Sequence, residues 1–319
     1  MLQWCPQSRA LFVYSPRLPV SDGMQSNGSS NNYLHLTVPQ NQSRLVFERM
    51  ARGIGRLSKS LTPENVHRFR TNSRRVEALI ENLAPETRNK KKTLKLVSKL
   101  RKRAGKLRDL DVQIALLKNL KVPDRQNHRA QLLEVLEEEH ARRSRKLTKA
   151  ADSSTLQELR KRLRRERDAI QLKGVDPLRL AASSLPKPGQ VPLTEKTLHS
   201  FRIAAKHARY LAELAGENPA AKVFVNELKR AQDAAGEWHD AVKLKQRAEK
   251  RFGSASDSAL VSVLQNISRA RFRAASNALM TAVATLSREQ HSREKQPAKP
   301  PTHIQQEVTA GTARSRAVA

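Results

Sequence analysis

An all-α fold is what this sequence predicts, on three observations. Aromatic residues make up only 4% of the chain, too few for sheets built on aromatic and β-branched side chains. Residues 50 to 290 are dominated by Leu, Ala, Arg, Lys and Glu, which favour helices. Two segments also repeat one pattern, VHRFRTNSRRVEAL at 66–79 and LHSFRIAAKHARYL at 198–211, with their histidines 132 residues apart. Such a repeat points to two pseudo-symmetric helical bundles from an internal duplication.

Taken in order, residues 1–49 read as a disordered tail, rich in Ser, Asn, Gln and Pro, or as sequence ahead of a start at Met24 or Met50. Residues 50–290 form the helical part. Thr62-Pro63-Glu64 opens a helix, with Thr as cap, Pro at the first helical position and an acid near the positive dipole end. Further helices are expected near 90–120, 125–150, 153–172, 195–216, 220–250 and 256–288. The stretch KGVDPLRLAASSLPKPGQVPLT, with its prolines and glycines, holds no long helix. A linker at 173–192 therefore separates halves at about 55–172 and 193–288, and residues 291–319 form a second tail.

The 319 residues carry 61 Lys+Arg against 30 Asp+Glu, a formal net charge of +31. A chain so basic repels itself unless a polyanion or acidic surface takes up the charge, so nucleic acid, polyphosphate and anionic membrane are the candidate partners. Cys5 is the single cysteine, which excludes an internal disulfide and a cysteine-based metal site. No apolar run reaches the roughly 18 residues that span a bilayer. The first 20 residues lack a continuous signal-peptide core; being poor in acids, they leave a transit peptide as the alternative to a cytoplasmic protein.

On an ideal helix of about 100° per residue, His67, Arg70 and Arg74 fall within a wedge of roughly 60°, one above the next. Phe69, Val76, Ile80 and Leu83 share another face, so the helix can bury an apolar stripe and present a cationic column. In the second segment His199, Arg202, Lys206 and Arg209 form the column, with Phe201, Ala205, Ala208 and Ala212 on the apolar face. Like charges at this spacing are unfavourable on an isolated helix and are explained by a linear polyanion that neutralises them. Arginine forks match phosphate oxygens, and a histidine near phosphate has its cationic form favoured. Basic helix edges are also common on merely solvated faces. Repetition of the cap argues against that here, since Thr62 and Thr194 each stand five residues before their histidine.

A second pair of segments supports the duplication. AGKLRDLDV (104–112) and AGEWHDAVK (235–243) match Gly105 with Gly236, Arg108 with His239 and Asp109 with Asp240. Glycine inside a helix costs about 1 kcal/mol against Ala, so close approach of a neighbouring helix is expected at both. Asp109 and Asp240 are expected to orient nearby cations or to serve as ordinary ion-pair or capping residues.

At these residues the chain resembles the CHAD family, the conserved histidine α-helical domain. The motifs that carry it are VHRFRTNSRR followed by AGKLRDLDV, then LHSFRIAAKHARY followed by LKRAQDAAGEWHD, over about residues 55–285. The resemblance implies paired helical bundles with basic helices lining a central channel, and non-catalytic binding of inorganic polyphosphate. Carried over by motif, it implies polyphosphate contacts from His67, Arg70, Arg74, Arg75, Lys102 and Arg108. In the second half it implies His199, Arg202, Lys206, Arg209, Lys229 and His239. Two positions depart from the family pattern, Glu77 in place of a further Arg and His207 in place of the second basic partner; both thin the column.

Two other functions compete. A nucleic-acid-associated basic protein is the alternative, opposed by the scarcity of aromatics for base stacking and by the lack of a groove-reading motif. An enzyme acting on phosphoanhydrides would need the Glu-x-Glu-x-Lys strand that often accompanies such domains, a Walker-type loop or a paired-carboxylate metal site, and none is legible. No catalytic residue, metal ligand or cofactor is expected, and association with polyphosphate granules follows only from the resemblance. The dense basic stretches 88–108 and 160–167 read as solvated helix surface or as non-specific polyanion contacts.

Overall fold

In this computed structural model, which describes residues 36–123, 126–185 and 194–294, every regular element is helical. The expected tails at 1–35 and 295–319 and the linker residues 186–193 lie outside the described residues.

The first helix, α1 (Val38–Lys59), is a correction to the expected 1–49 tail, which held no helix. Its polar opening, VPQNQS, hides the period, and the apolar residues that follow settle it. Val46, Phe47, Met50, Ile54 and Leu57 recur at helical spacing and are all buried. Pro39 sits in the first turn, and the Gln40 side chain accepts a hydrogen bond from the Thr37 backbone at 2.7 Å.

The two patterned segments form α2 (Pro63–Leu83) and α7 (Glu195–Ala212). Thr62 Oγ1 accepts from Asn65 N at 3.3 Å, and Thr194 Oγ1 accepts from Thr197 N at 3.2 Å, as the repeated caps predict. Phe69, Val76, Ile80 and Leu83 of α2 are buried, as are Phe201, Ala205, Ala208 and Ala212 of α7. Where α7 was expected to run to 216, it tightens into a 3₁₀ turn at Glu213–Ala215 and stops at Gly216, whose φ of 61° suits glycine.

Between them lie α3 (Arg88–Asn119), α4 (His128–Ala150), α5 (Ser153–Ala169) and the short α6 (Pro177–Ser183), of about two turns. Asp176 caps α6 through Leu178 N and Arg179 N, so the proline-rich stretch holds a short helix and no long one. The chain closes with α8 (Pro219–Phe252) and α9 (Ala259–Glu294).

Two large cores form. One gathers α1, α2, the first part of α3, and α5; the other gathers α6, α7, α8 and α9. Leu214 of the 3₁₀ turn crosses over and is buried in the first core. A third core joins the tips of two hairpins, Leu110, Leu117, Leu132 and Leu136 of α3–α4 against Leu244, Ala248, Leu260 and Leu264 of α8–α9. It exists because α3 and α8, each roughly 50 Å long at 1.5 Å per residue, outrun α2 and α7 beside them. With α2 packed on α7 and the hairpin tips joined, α2, α3, α7 and α8 are held together and their polar faces meet.

Candidate functional site

Apolar burial on one face fixes what the other face can do. Because α2 and α7 bury their Phe- and Ala-bearing stripes, their cationic columns turn toward each other and toward α3 and α8. Arg70 Nη2 lies 3.6 Å from Asp109 Oδ1 on α3. The His199 and His239 rings, on α7 and α8, stack with centroids 5.7 Å apart. Arg74 of α2 feels Arg70, Arg202 and also Arg101 of α3, while Lys206 of α7 feels Arg202, Arg74 and Arg70. His67 is close enough to Arg108 to be repelled by it. The two columns thus merge into one cluster of cations.

The electrostatics show how crowded the cluster is. Burial, then Arg202, Arg74 and Arg70, push the Lys206 amine down to about 6, against the pull of Asp240. Burial and the neighbouring arginines bring Arg74 down to about 10. Arg202 is lowered by burial and by Arg70, with Asp240 and Asp109 opposing. The Nε atoms of both Arg74 and Arg202 are buried without a hydrogen-bond partner. Among the described residues, neither arginine nor Lys206 has a carboxylate within ion-pair distance. Donors buried in this condition are rare and ask for an acceptor.

The surroundings of the histidines act opposite to a phosphate. Desolvation and Arg108 hold His67 below its ordinary value; desolvation, His239, Arg202, Lys206 and Lys243 do the same for His199. Both rings are therefore neutral at pH 7 until negative charge arrives.

Not every expected site residue joins the cluster. Arg75 is held by Glu213 at 2.7 Å, and Arg209 reaches the same carboxylate at 3.2 Å and Gln232 Oε1 at 3.1 Å. Both guanidinium groups lie over the Tyr210 ring, 5.3 and 4.9 Å from its centre. Lys229 is exposed and pairs with Asp233 on its own helix at 3.3 Å. Lys102 is exposed, about two turns before Asp109 on the same side of α3. Arg108 leans to Asp111 at 3.9 Å as well as toward His67. Of the two departures from the motif, Glu77 is buried against Arg101 at 2.5 Å, its carboxyl pushed up to about 7 by burial. His207 turns away to Asn82, with 2.7 Å between Nε2 and Nδ2.

Sequence reasoning missed Arg101 and Lys243, which face the cluster from α3 and α8. Their signal was their spacing from Arg108 and His239, seven residues before the one and four after the other, about one helix face. The expected close helix approach at the two glycines is corrected. A Cβ on Gly105 would meet only the Arg70 Nε, at 3.5 Å, and one on Gly236 would meet nothing within 4 Å. These glycines leave room beside the cations and do not seat a helix.

Comparison with known proteins agrees with the fold. The CHAD domain of the plant Ricinus communis superposes with a TM-score of 0.51 at 17% identity, over 80% of this chain and 91% of that one. PptA from Streptomyces chartreusis gives 0.53 at 15% identity, over 79% and 98% respectively. No curated protein matches the chain. The profile of the CHAD domain matches residues 44–249, a span holding both cationic helices, nearly all of the long helices behind them and most of α1. On that match, across most of the helical part, the chain belongs to the CHAD domain family.

Proposed function

We propose that the protein binds inorganic polyphosphate, without turning it over, in the cation cluster between α2, α3, α7 and α8. The observation that carries this reading is the crowding of the half-buried Arg74, Arg202 and Lys206, with no carboxylate in ion-pair distance of any of them and two buried Nε donors without a partner. Crowding half-buried cations without counter-charges is unfavourable, and a flexible chain of phosphates offsets that cost and supplies the missing acceptors. The acids that do face the cluster, Asp109 and Asp240, act on Arg70 and Arg202 and so orient donors. A cytoplasmic protein associated with polyphosphate granules is the setting that goes with this reading.

The test is competition at about 150 mM salt, where screening resembles that of the cell. Labelled long-chain polyphosphate is challenged with duplex DNA and RNA, using wild type and an Arg70→Ala, Arg74→Ala, Arg202→Ala, Lys206→Ala variant. The expected result is a preference for polyphosphate that the folded variant loses, with no phosphate released on long incubation. Equal competition by nucleic acid, or an unaffected variant, overturns the reading.

A further inference from the structure

α3 has a second basic face that the cluster does not use. Arg103 and Lys106 sit roughly 140° around the helix from Arg101, Gly105 and Arg108, on the side packed against α4. There they meet Arg143, Lys146 and Lys149, and these five cations line a groove of about 380 Å³. The Arg103 Nη1 donates to the Lys146 carbonyl at 3.4 Å, which lays its guanidinium across the groove. Arg143 is paired with Glu139 at 3.0 Å; among the described residues the other four have no ion pair.

A solvated face accounts poorly for this. Glu139, the acid of α4 that pairs with the groove, is shared with Arg247 at 2.6 Å. The helix dipole favours a cation such as Lys149 in the last turn of α4. It does nothing for Arg103 and Lys106, which lie mid-helix. Cations at i, i+3 on both walls destabilise both helices unless an anion lies between them. The groove has no aromatic lining on which a base could stack, and from Arg143 to Lys149 it runs about 9 Å along the axis. Those features fit a compact, highly charged anion.

We propose that the α3–α4 groove is a second site, for a short run of condensed phosphate, either a free oligophosphate or the end of a longer chain. The choice of ligand rests on the polyphosphate reading of the cluster; the place of the site does not.

Calorimetric titration with tripolyphosphate at about 150 mM salt tests it, with four proteins: wild type, a groove variant (Lys106→Gln, Lys146→Gln, Lys149→Gln), a cluster variant (Arg74→Ala, Lys206→Ala) and a charge control on α5 (Lys161→Gln, Arg164→Gln, Arg165→Gln). All the groove and control positions are exposed, so these variants should fold. Wild type should show two classes of site. The groove variant should lose one, its affinity falling at least tenfold, and keep the other; the control should keep both. No binding by wild type, wild-type behaviour of the groove variant, or an equal loss in the control overturns the proposal. Loss of all binding in the groove variant, with none in the cluster variant, would sink the cluster reading and leave the groove standing. Saturating wild type with one long chain distinguishes the sources: tripolyphosphate excluded from the groove means that a chain end fills it, and tripolyphosphate still bound means a free oligophosphate. Either outcome supports the site.

Discussion

Two groups of arginines leave the same pair of helices, α2 and α7, and meet different surroundings. Arg75 and Arg209 converge on Glu213 and lie over Tyr210, and although burial pulls the other way, that carboxylate leaves Arg75 with a raised pKa. Arg74, one residue earlier, and Arg202 on the facing helix are similarly enclosed, yet no carboxylate ion-pairs with either; burial and the neighbouring cations outweigh the more distant acids, and their pKa values fall. A single residue step, about 100° around α2, separates a cation that holds the fold together from one that the fold holds at a cost. The same side chain is therefore structural or available to a ligand according to whether the protein supplies its counter-charge.

The largest test of this contrast breaks the structural set. Glu213→Gln leaves the half-buried Arg75 and Arg209 without their shared carboxylate, and losing hydrogen bonds to a charged partner costs about 2 kcal/mol. Urea unfolding should show that loss, with polyphosphate affinity measured on the folded fraction little changed. Arg74→Ala should do the reverse: stability equal or higher, and affinity down by about tenfold or more, as expected for a lost charge-assisted bond. If both variants lower stability alike, Arg74 is structural and the division is wrong.

How much of this was legible follows from which interactions are local. The caps at Thr62 and Thr194, the buried stripes and the cationic columns depend on spacing along one helix, and each can be read from the chain. Half of the Glu213 bridge was legible too, since Arg209 and Glu213 stand at i, i+4. Its other half, Arg75, lies 138 residues from Glu213 in sequence, and only the packing of α2 on α7 unites them. For the same reason the columns could be read singly, while their merger around Lys206 could not. α1 was missed because its polar first two turns delay the apolar period, and Lys102 and Lys229 were carried by a motif with no view of where α3 and α8 would turn.

A smaller effect sharpens the comparison through pH. Lys206 is pushed down to about 6 by burial and by Arg202, Arg74 and Arg70, with Asp240 opposing. In the free protein it is neutral at pH 8 and half-charged near pH 6. The unfolded chain holds that proton at its ordinary value, so stability contributed here rises with pH from about 6 upward. A bound polyanion raises the pKa of Lys206, so binding takes up a proton wherever the free protein lacks it. Affinity should then fall as pH rises from about 6 to 8, approaching tenfold per unit for one proton, and level off below 6. His67 and His199, also lowered, add to the slope at its acidic end. Lys206→Arg, charged throughout, should flatten the slope between pH 7 and 8 and leave the histidine contribution in place. An unchanged slope in that variant would show that Lys206 does not face the ligand.

The smallest effect concerns the room beside the cations. Gly236 lies inside α8, where Ala is favoured by about 1 kcal/mol, and a Cβ there would touch nothing within 4 Å. Packing within the protein therefore gives no reason for glycine, and Gly236→Ala should raise stability by about that amount. Whether it also changes polyphosphate affinity decides what the space is for. Lower affinity in a more stable protein would mean that the phosphate chain runs against α8 at this point, three residues before His239. Unchanged affinity would place the chain closer to α2 and α3. There Gly105→Ala sets a methyl group against the Arg70 Nε at ordinary contact distance, 3.5 Å, and the pair of variants would locate the ligand on one wall of the cluster or the other.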